Sequence, residues 1–165
     1  MSETETKTNR LLEVETLHEL LQIAIEDFEL QLKNPNFKVS MGDWLVHYDN
    51  DPADKCTGCL AGACLLQEGI ELEFCQMFYH PETYPAGHKI LDLSELGNKY
   101  PKLLDRIYAI DALRTGGVND AYCYFHKVKE CDKYWDQHVT RFQISADKFV
   151  RDLCRLQQYL FETGI

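Results

Sequence analysis

At 165 residues, with 45% apolar, 12% aromatic and 27% charged side chains, the chain has the length and composition of one ordinary globular domain, which excludes a fibrous or wholly disordered protein. Its net charge is −10, concentrated in residues 1–100 (7 basic, 18 acidic) rather than in residues 101–165 (10 basic, 9 acidic); such a field repels a phosphate backbone, so no direct contact with nucleic acid is expected. The seven cysteines are odd in number and several lie among apolar neighbours, which suits free thiols in a reducing compartment, and no apolar run reaches the length of a membrane span; a cytoplasmic location without membrane contact is expected.

Residues 1–9 are polar and rich in Thr and Glu, and read as a disordered N-terminal tail ahead of a single globular helical domain over 10–165. From Leu11 the pattern turns helical. Leu17, Leu21, Ala24, Phe28 and Leu32 form a stripe widened by Val14, Leu20 and Ile25, while Glu13, Glu19, Glu26 and Glu29 fall largely outside it. Pro35 ends this acidic amphipathic helix near Lys33. Phe37, Val39 and Met41, then Trp44, Val46 and Tyr48, alternate around Met41-Gly42-Asp43 in the manner of a hairpin.

Asp54 is a plausible N-cap for a helix starting in the cysteine stretch and closed by Gly69. Between Cys56 and Leu66 only Thr57 is clearly polar, so this helix is expected to be enclosed on most sides, with Gly58, Ala61, Gly62 and Ala63 marking a packing seam. Ile70, Leu72 and Phe74 alternate as in a short strand, and residues 81–90 read as a loop. Pro101 suits the first turn of a helix carrying Leu104, Ile107, Ile110 and Leu113 to a stop at Gly116-Gly117, after which Asn119 can cap a helix using Tyr122, Phe125 and Val128. Ser145 caps the last helix, whose stripe is Phe149, Leu153, Leu156 and Leu160. The fold class is therefore mainly α: a compact single-domain helical bundle around a buried small-residue helix, with at most a small β-hairpin.

Cys56-x-x-Cys59 supplies half of a tetrahedral zinc site, but the completions among Cys64, Cys75, His47, His80 and His88 are scattered, without a second close pair. The same pair at a helix start meets the local requirement of a redox dithiol and fails the wider one, since no β-α-β pattern surrounds it. A thiol nucleophile needs a base, and the nearest histidine, His47, belongs to no motif. Buried free thiols are the simpler account; no metal, cofactor or catalytic set is expected, and an enzyme is disfavoured.

Met41-Gly42-x-Trp44, Cys56-x-x-Cys59-Leu60-Ala61-Gly62-Ala63 and Asp111-Ala112-Leu113-Arg114-Thr115-Gly116 make three short windows in which the chain resembles a group of small, uncharacterised proteins encoded by bacteriophages and prophages. It departs from that pattern at Cys64, where a Met-like residue is more familiar, which argues against Cys64 as a ligand. The resemblance implies a phage-type accessory protein in the host cytoplasm that binds a host or defence-system macromolecule; the acid excess of residues 1–100 and the absence of a catalytic motif point to a non-enzymatic contact that presents the acidic face of the first long helix and the aromatic C-terminal region, with its segments 122–128 and 133–138. The alternatives are a protein binding a nucleotide or small anionic metabolite at Trp44, His47, Cys59 and Arg114, a list that mixes aromatic, imidazole, thiol and cation, and a cysteine-dependent or zinc enzyme.

Overall fold

The computed structural model describes residues 10–40, 45–48, 56–68, 75–77, 88–91, 93–137, 139 and 145–165. The expected N-terminal tail, the Met41-to-Trp44 window, the Asp54 cap, Gly69 and the alternation over 70–74 lie outside the described residues.

Six described helices of seven residues or more dominate. Helix α1 (Leu17–Leu32) is central: nine of its sixteen residues are buried, and it packs against helices on several sides. Its start is fixed by Thr16, whose hydroxyl accepts the Glu19 amide at 3.3 Å, while the Glu19 carboxylate accepts the Glu15 amide at 3.1 Å. Two otherwise orphaned donors are thereby satisfied in a relative of the capping box. The helix stops at Lys33, where expected; Asn34 Oδ1 accepts the Asn36 amide at 3.0 Å, turning the chain into strand β1 (Phe37–Val39).

Strands β2 (Leu45–Tyr48), β3 (Cys56–Gly58), β4 (Cys75–Met77) and β5 (His88–Leu91) join β1 in a five-stranded sheet of order β1-β3-β2-β5-β4, with β1 and β3 parallel and the other pairs antiparallel. The expectation of at most a small hairpin is corrected here, although the fold remains mainly helical. β1 and β2 do not pair with each other, because β3 lies between them. Alternation reports which faces a strand presents, not which strand it pairs with, and a non-local partner has displaced the local one. Residues 88–91, expected as loop, form β5.

The cysteine helix also starts later than expected. Cys56, Thr57 and Gly58 are extended, Cys59 is the N-cap (φ −88°, ψ −167°), and α2 runs Leu60–Gln67. Leu60 through Leu65 are all buried, so the expected buried small-residue helix is present, flanked by α1 and by α4. Helix α3 (Leu93–Lys99) meets α4 (Pro101–Arg114) at Gly97, where an added Cβ would lie 2.6 Å from Leu104 Cδ2. Pro101 opens α4 as its residue type favours. Gly116, at φ 83°, supplies the left-handed turn into α5 (Val118–His126). Helix α6 (Ala146–Thr163) is capped by Ser145, whose hydroxyl accepts the Lys148 amide at 3.1 Å, and buries the expected Phe149, Leu153, Leu156 and Leu160. Phe28 of α1 and Phe149 of α6 meet edge to face at 5.5 Å in the core. Among the described residues no helix is long and apolar enough to cross a membrane.

Candidate functional site

Of the four residues singled out as a ligand site, two come together. Cys59 sits at the N-terminus of α2, and the Arg114 and Asp111 charges at the end of α4 act on its thiol. Burial pushes the Cys59 thiol up; the amides of Gly62 and Ala61 and the Arg114 cation oppose this, and Asp111 adds to it. Arg114 Nε donates to Asp111 Oδ1 at 3.0 Å, so the cation is engaged within its own helix. The His47 backbone lies in β2 opposite Cys56, and Trp44 lies outside the described residues.

Cys64 belongs to a different polar cluster. Its thiol donates to Asp27 Oδ2 at 3.2 Å, and Asp27 is fully buried. Arg10 closes the cluster: Nη1 lies 3.5 Å from both Asp27 Oδ1 and Glu68 Oε1, and Nη2 pairs with Glu26. Burial, then the neighbouring Glu68, push the Asp27 carboxyl up to about 8, which favours its protonated form at neutral pH. Burial and the neighbouring Asp27 likewise raise the Cys64 thiol well above its ordinary value. The sequence held a signal for this cluster, since Asp27 falls on the line Leu20, Ala24, Asp27, Gln31 that α1 turns inward. Among the described residues no group of three His, Cys, Asp or Glu is arranged to hold a metal ion.

These burials dictate an alkylation order. Burial raises all three thiols, but Cys154 is exposed, whereas Cys59 and Cys64 are buried. Iodoacetamide followed by peptide mass analysis is expected to label Cys154 in the native protein and to reach Cys59 and Cys64 only at the rate of unfolding. Prompt labelling of either buried thiol would contradict their packing.

The most exposed large apolar side chain described is Trp135, at 74%. Its loop is nevertheless pinned. Asn119, expected as a helix cap, instead clasps the loop from the first turn of α5: its Nδ2 donates to the Tyr134 carbonyl at 2.7 Å and its Oδ1 accepts the Tyr134 amide at 3.0 Å. Asp136 returns the contact, accepting the Asn119 amide at 3.1 Å and so capping α5 from a distance. The Trp135 amide donates to the Tyr159 hydroxyl of α6 at 2.9 Å. Tyr134 packs on Tyr122 at 5.4 Å, and Tyr122 on His126 at 4.3 Å. On the same α5-to-loop segment Tyr124 (43%) and Val128 (42%) are exposed, Val128 because α5 ends at His126 rather than running through it.

Asn119→Ala removes both arms of the clasp. It is expected to cost about 2 kcal/mol by urea denaturation and to speed hydrogen exchange at the Trp135 amide by about tenfold or more. Unchanged exchange would mean that the loop is held by other contacts.

A groove of ≈ 460 Å³ between the end of α1 and the start of α6 is lined by Glu29, Leu32, Lys33, Asp147, Val150 and Arg151, whose two acids and two bases offset one another. The chain matches no protein-family model, no curated protein and no solved structure.

Proposed function

We propose that this chain is a non-enzymatic accessory protein of phage type that acts by binding a host or defence protein, with Trp135 as the anchor of the contact. The observation that carries this reading is an indole 74% exposed on a loop held by Asn119, Asp136 and Tyr159. Exposing Trp to water is unfavourable, and fixing the backbone beneath it removes the ordering cost that a floppy loop meets on binding. Trp and Tyr dominate the residues that anchor protein interfaces. The charge distribution favours a protein over a nucleic acid as partner: the excess acid lies in residues 1–100, and the half that holds the loop is close to neutral.

The test is paired capture from host lysate by wild type, Trp135→Ala and Phe161→Ala. Phe161 is 63% exposed and meets His18 of α1 edge to face at 5.4 Å, away from the hydrogen bonds that hold the Trp135 loop, which makes it the control for general stickiness. The expected result is a partner retained by wild type and Phe161→Ala and reduced at least tenfold with Trp135→Ala. Equal recovery by all three, or no recovery at low and physiological salt, would remove the proposal.

A further inference from the structure

Helix α5 stops after His126 because Lys127 takes a left-handed conformation, φ 56°, and the chain turns back along the helix it has just left. Three contacts mark the return. The Val128 amide donates to the Cys123 carbonyl at 3.2 Å, Cys131 Sγ donates to Asn119 Oδ1 at 3.5 Å, and Tyr134 exchanges two hydrogen bonds with the same Asn119 side chain. Asn119 and Cys123 stand at i and i+4 on α5, so their side chains are neighbours on one face. Cys131 therefore lies over that face, between the point where the loop leaves Cys123 and the point where it is clasped. Partial burial, then the Cys131 charge, then Asp120 and Glu130, push the Cys123 thiol up, as expected of two sulfurs close together. Both thiols are free and half-buried, unlike the enclosed Cys59 and Cys64 and the exposed Cys154 of α6.

We propose that Cys123 and Cys131 are a modification site: a low-molecular-weight disulfide such as oxidised glutathione joins them to each other and so staples the Trp135 loop to α5. One cysteine thiolate attacks a glutathione sulfur, the glutathione S–S bond breaks and one glutathione thiolate leaves. The second cysteine thiolate attacks the protein sulfur of the mixed disulfide, forming the Cys123 to Cys131 bond and releasing the second glutathione thiolate. The protein gives up two electrons and two protons, and two glutathione thiols carry them away. Because the second attack is intramolecular, across one helix face, it favours the cross-link over a glutathione left in place. The staple adds to the clasp instead of replacing it, since Asn119 Oδ1 gives up the Cys131 S–H and keeps the Tyr134 amide. In a reducing compartment such a bond is transient, forming as the glutathione pool is oxidised and opening as it recovers. Its meaning as regulation of binding rests on the Trp135 contact proposed above; the cross-link itself does not.

The full chain carrying Cys154→Ser, which removes the exposed thiol, provides the test. It is equilibrated with reduced or oxidised glutathione, free thiols are blocked with N-ethylmaleimide, and the protein is digested with trypsin without reduction. Cleavage after Lys127 and Lys129 puts Cys123 and Cys131 on separate peptides unless a disulfide joins them. The joined pair is expected to dominate under oxidised glutathione and to be absent under reduced glutathione, and in Cys131→Ser glutathione is expected to remain on Cys123. Glutathione on both cysteines without a joined pair, or a joined pair found only in urea, overturns the site. Hydrogen exchange reads the staple: the Trp135 amide, which donates to Tyr159, is expected to slow by about tenfold on oxidation in Asn119→Ala, and not when Cys131→Ser is added. If oxidation slows that amide neither in Asn119→Ala nor in its parent, the cross-link does not hold the loop and the proposal is overturned. Neither readout involves a partner, so failure of the dithiol is read separately from failure of Trp135-dependent capture.

Discussion

Asp27→Asn flattens the pH dependence of stability and leaves the protein more stable than its parent in mild alkali. Unfolded, Asp27 ionises near its ordinary 3.8; folded, it keeps its proton to about 8, because burial and Glu68 oppose the charge. Folding therefore takes up a proton across that interval, and the stability contributed by the protonated carboxyl is complete below about 4, falls as pH rises, and is gone above about 8. Each pH unit of displacement is worth about 1.4 kcal/mol, so the loss reaches several kcal/mol. An asparagine has the shape of the protonated acid: its carbonyl can accept the Cys64 thiol and its amide can donate to Glu68, with no proton to lose. Urea denaturation at pH 5 and pH 9 is expected to show wild type weakening by several kcal/mol and the variant changing by about 1 kcal/mol or less. Parallel losses in the two proteins would mean that Asp27 is ionised in the folded state.

Phe28→Ala is expected to cost about 4 kcal/mol. Phe28 is fully buried on the face of α1 that meets α6, where it packs edge to face on Phe149 at 5.5 Å. Truncation removes the transfer energy of the ring and leaves a void that Phe149, itself in the core, cannot fill without leaving its own neighbours. Because α1 packs against α2, α4, α5 and α6, the loss is expected to lower the whole transition rather than to loosen one helix. A denaturation curve that splits into two steps, or a cost below about 1 kcal/mol, would contradict the central position of α1.

What the sequence revealed was local. The stripe Leu17, Leu21, Ala24 and Phe28, Pro101 at a helix start, Gly116 at a turn and Ser145 at a cap each depend on residues within a turn or two, and each element stands where the pattern put it. Leu32, counted on the stripe, is 37% exposed, because the helix ends there and its last turn leaves the core. The sheet was not legible. Strands of three or four residues carry one alternation each, and the small residues Cys56 to Gly58 fit an extended segment as well as a helix start. Partner choice between distant strands then decided the matter.

The same divide runs through the candidate site. That Cys59 and Arg114 approach each other follows from α2 packing on α4, which no spacing rule contains. The aromatic segments 122–128 and 133–138 were visible as a group, yet whether each ring is core or surface was not: Phe125 is buried under Arg106, and Trp135 stands in water.

The most direct measurement is site-specific photo-crosslinking in host lysate from a photoreactive residue at Val128, beside the Trp135 loop, and in a second protein at Phe161. The account predicts a discrete adduct of one size from position 128 that disappears when Trp135→Ala is added, and none of that size from position 161. An adduct that survives Trp135→Ala, or forms equally from both positions, would contradict it.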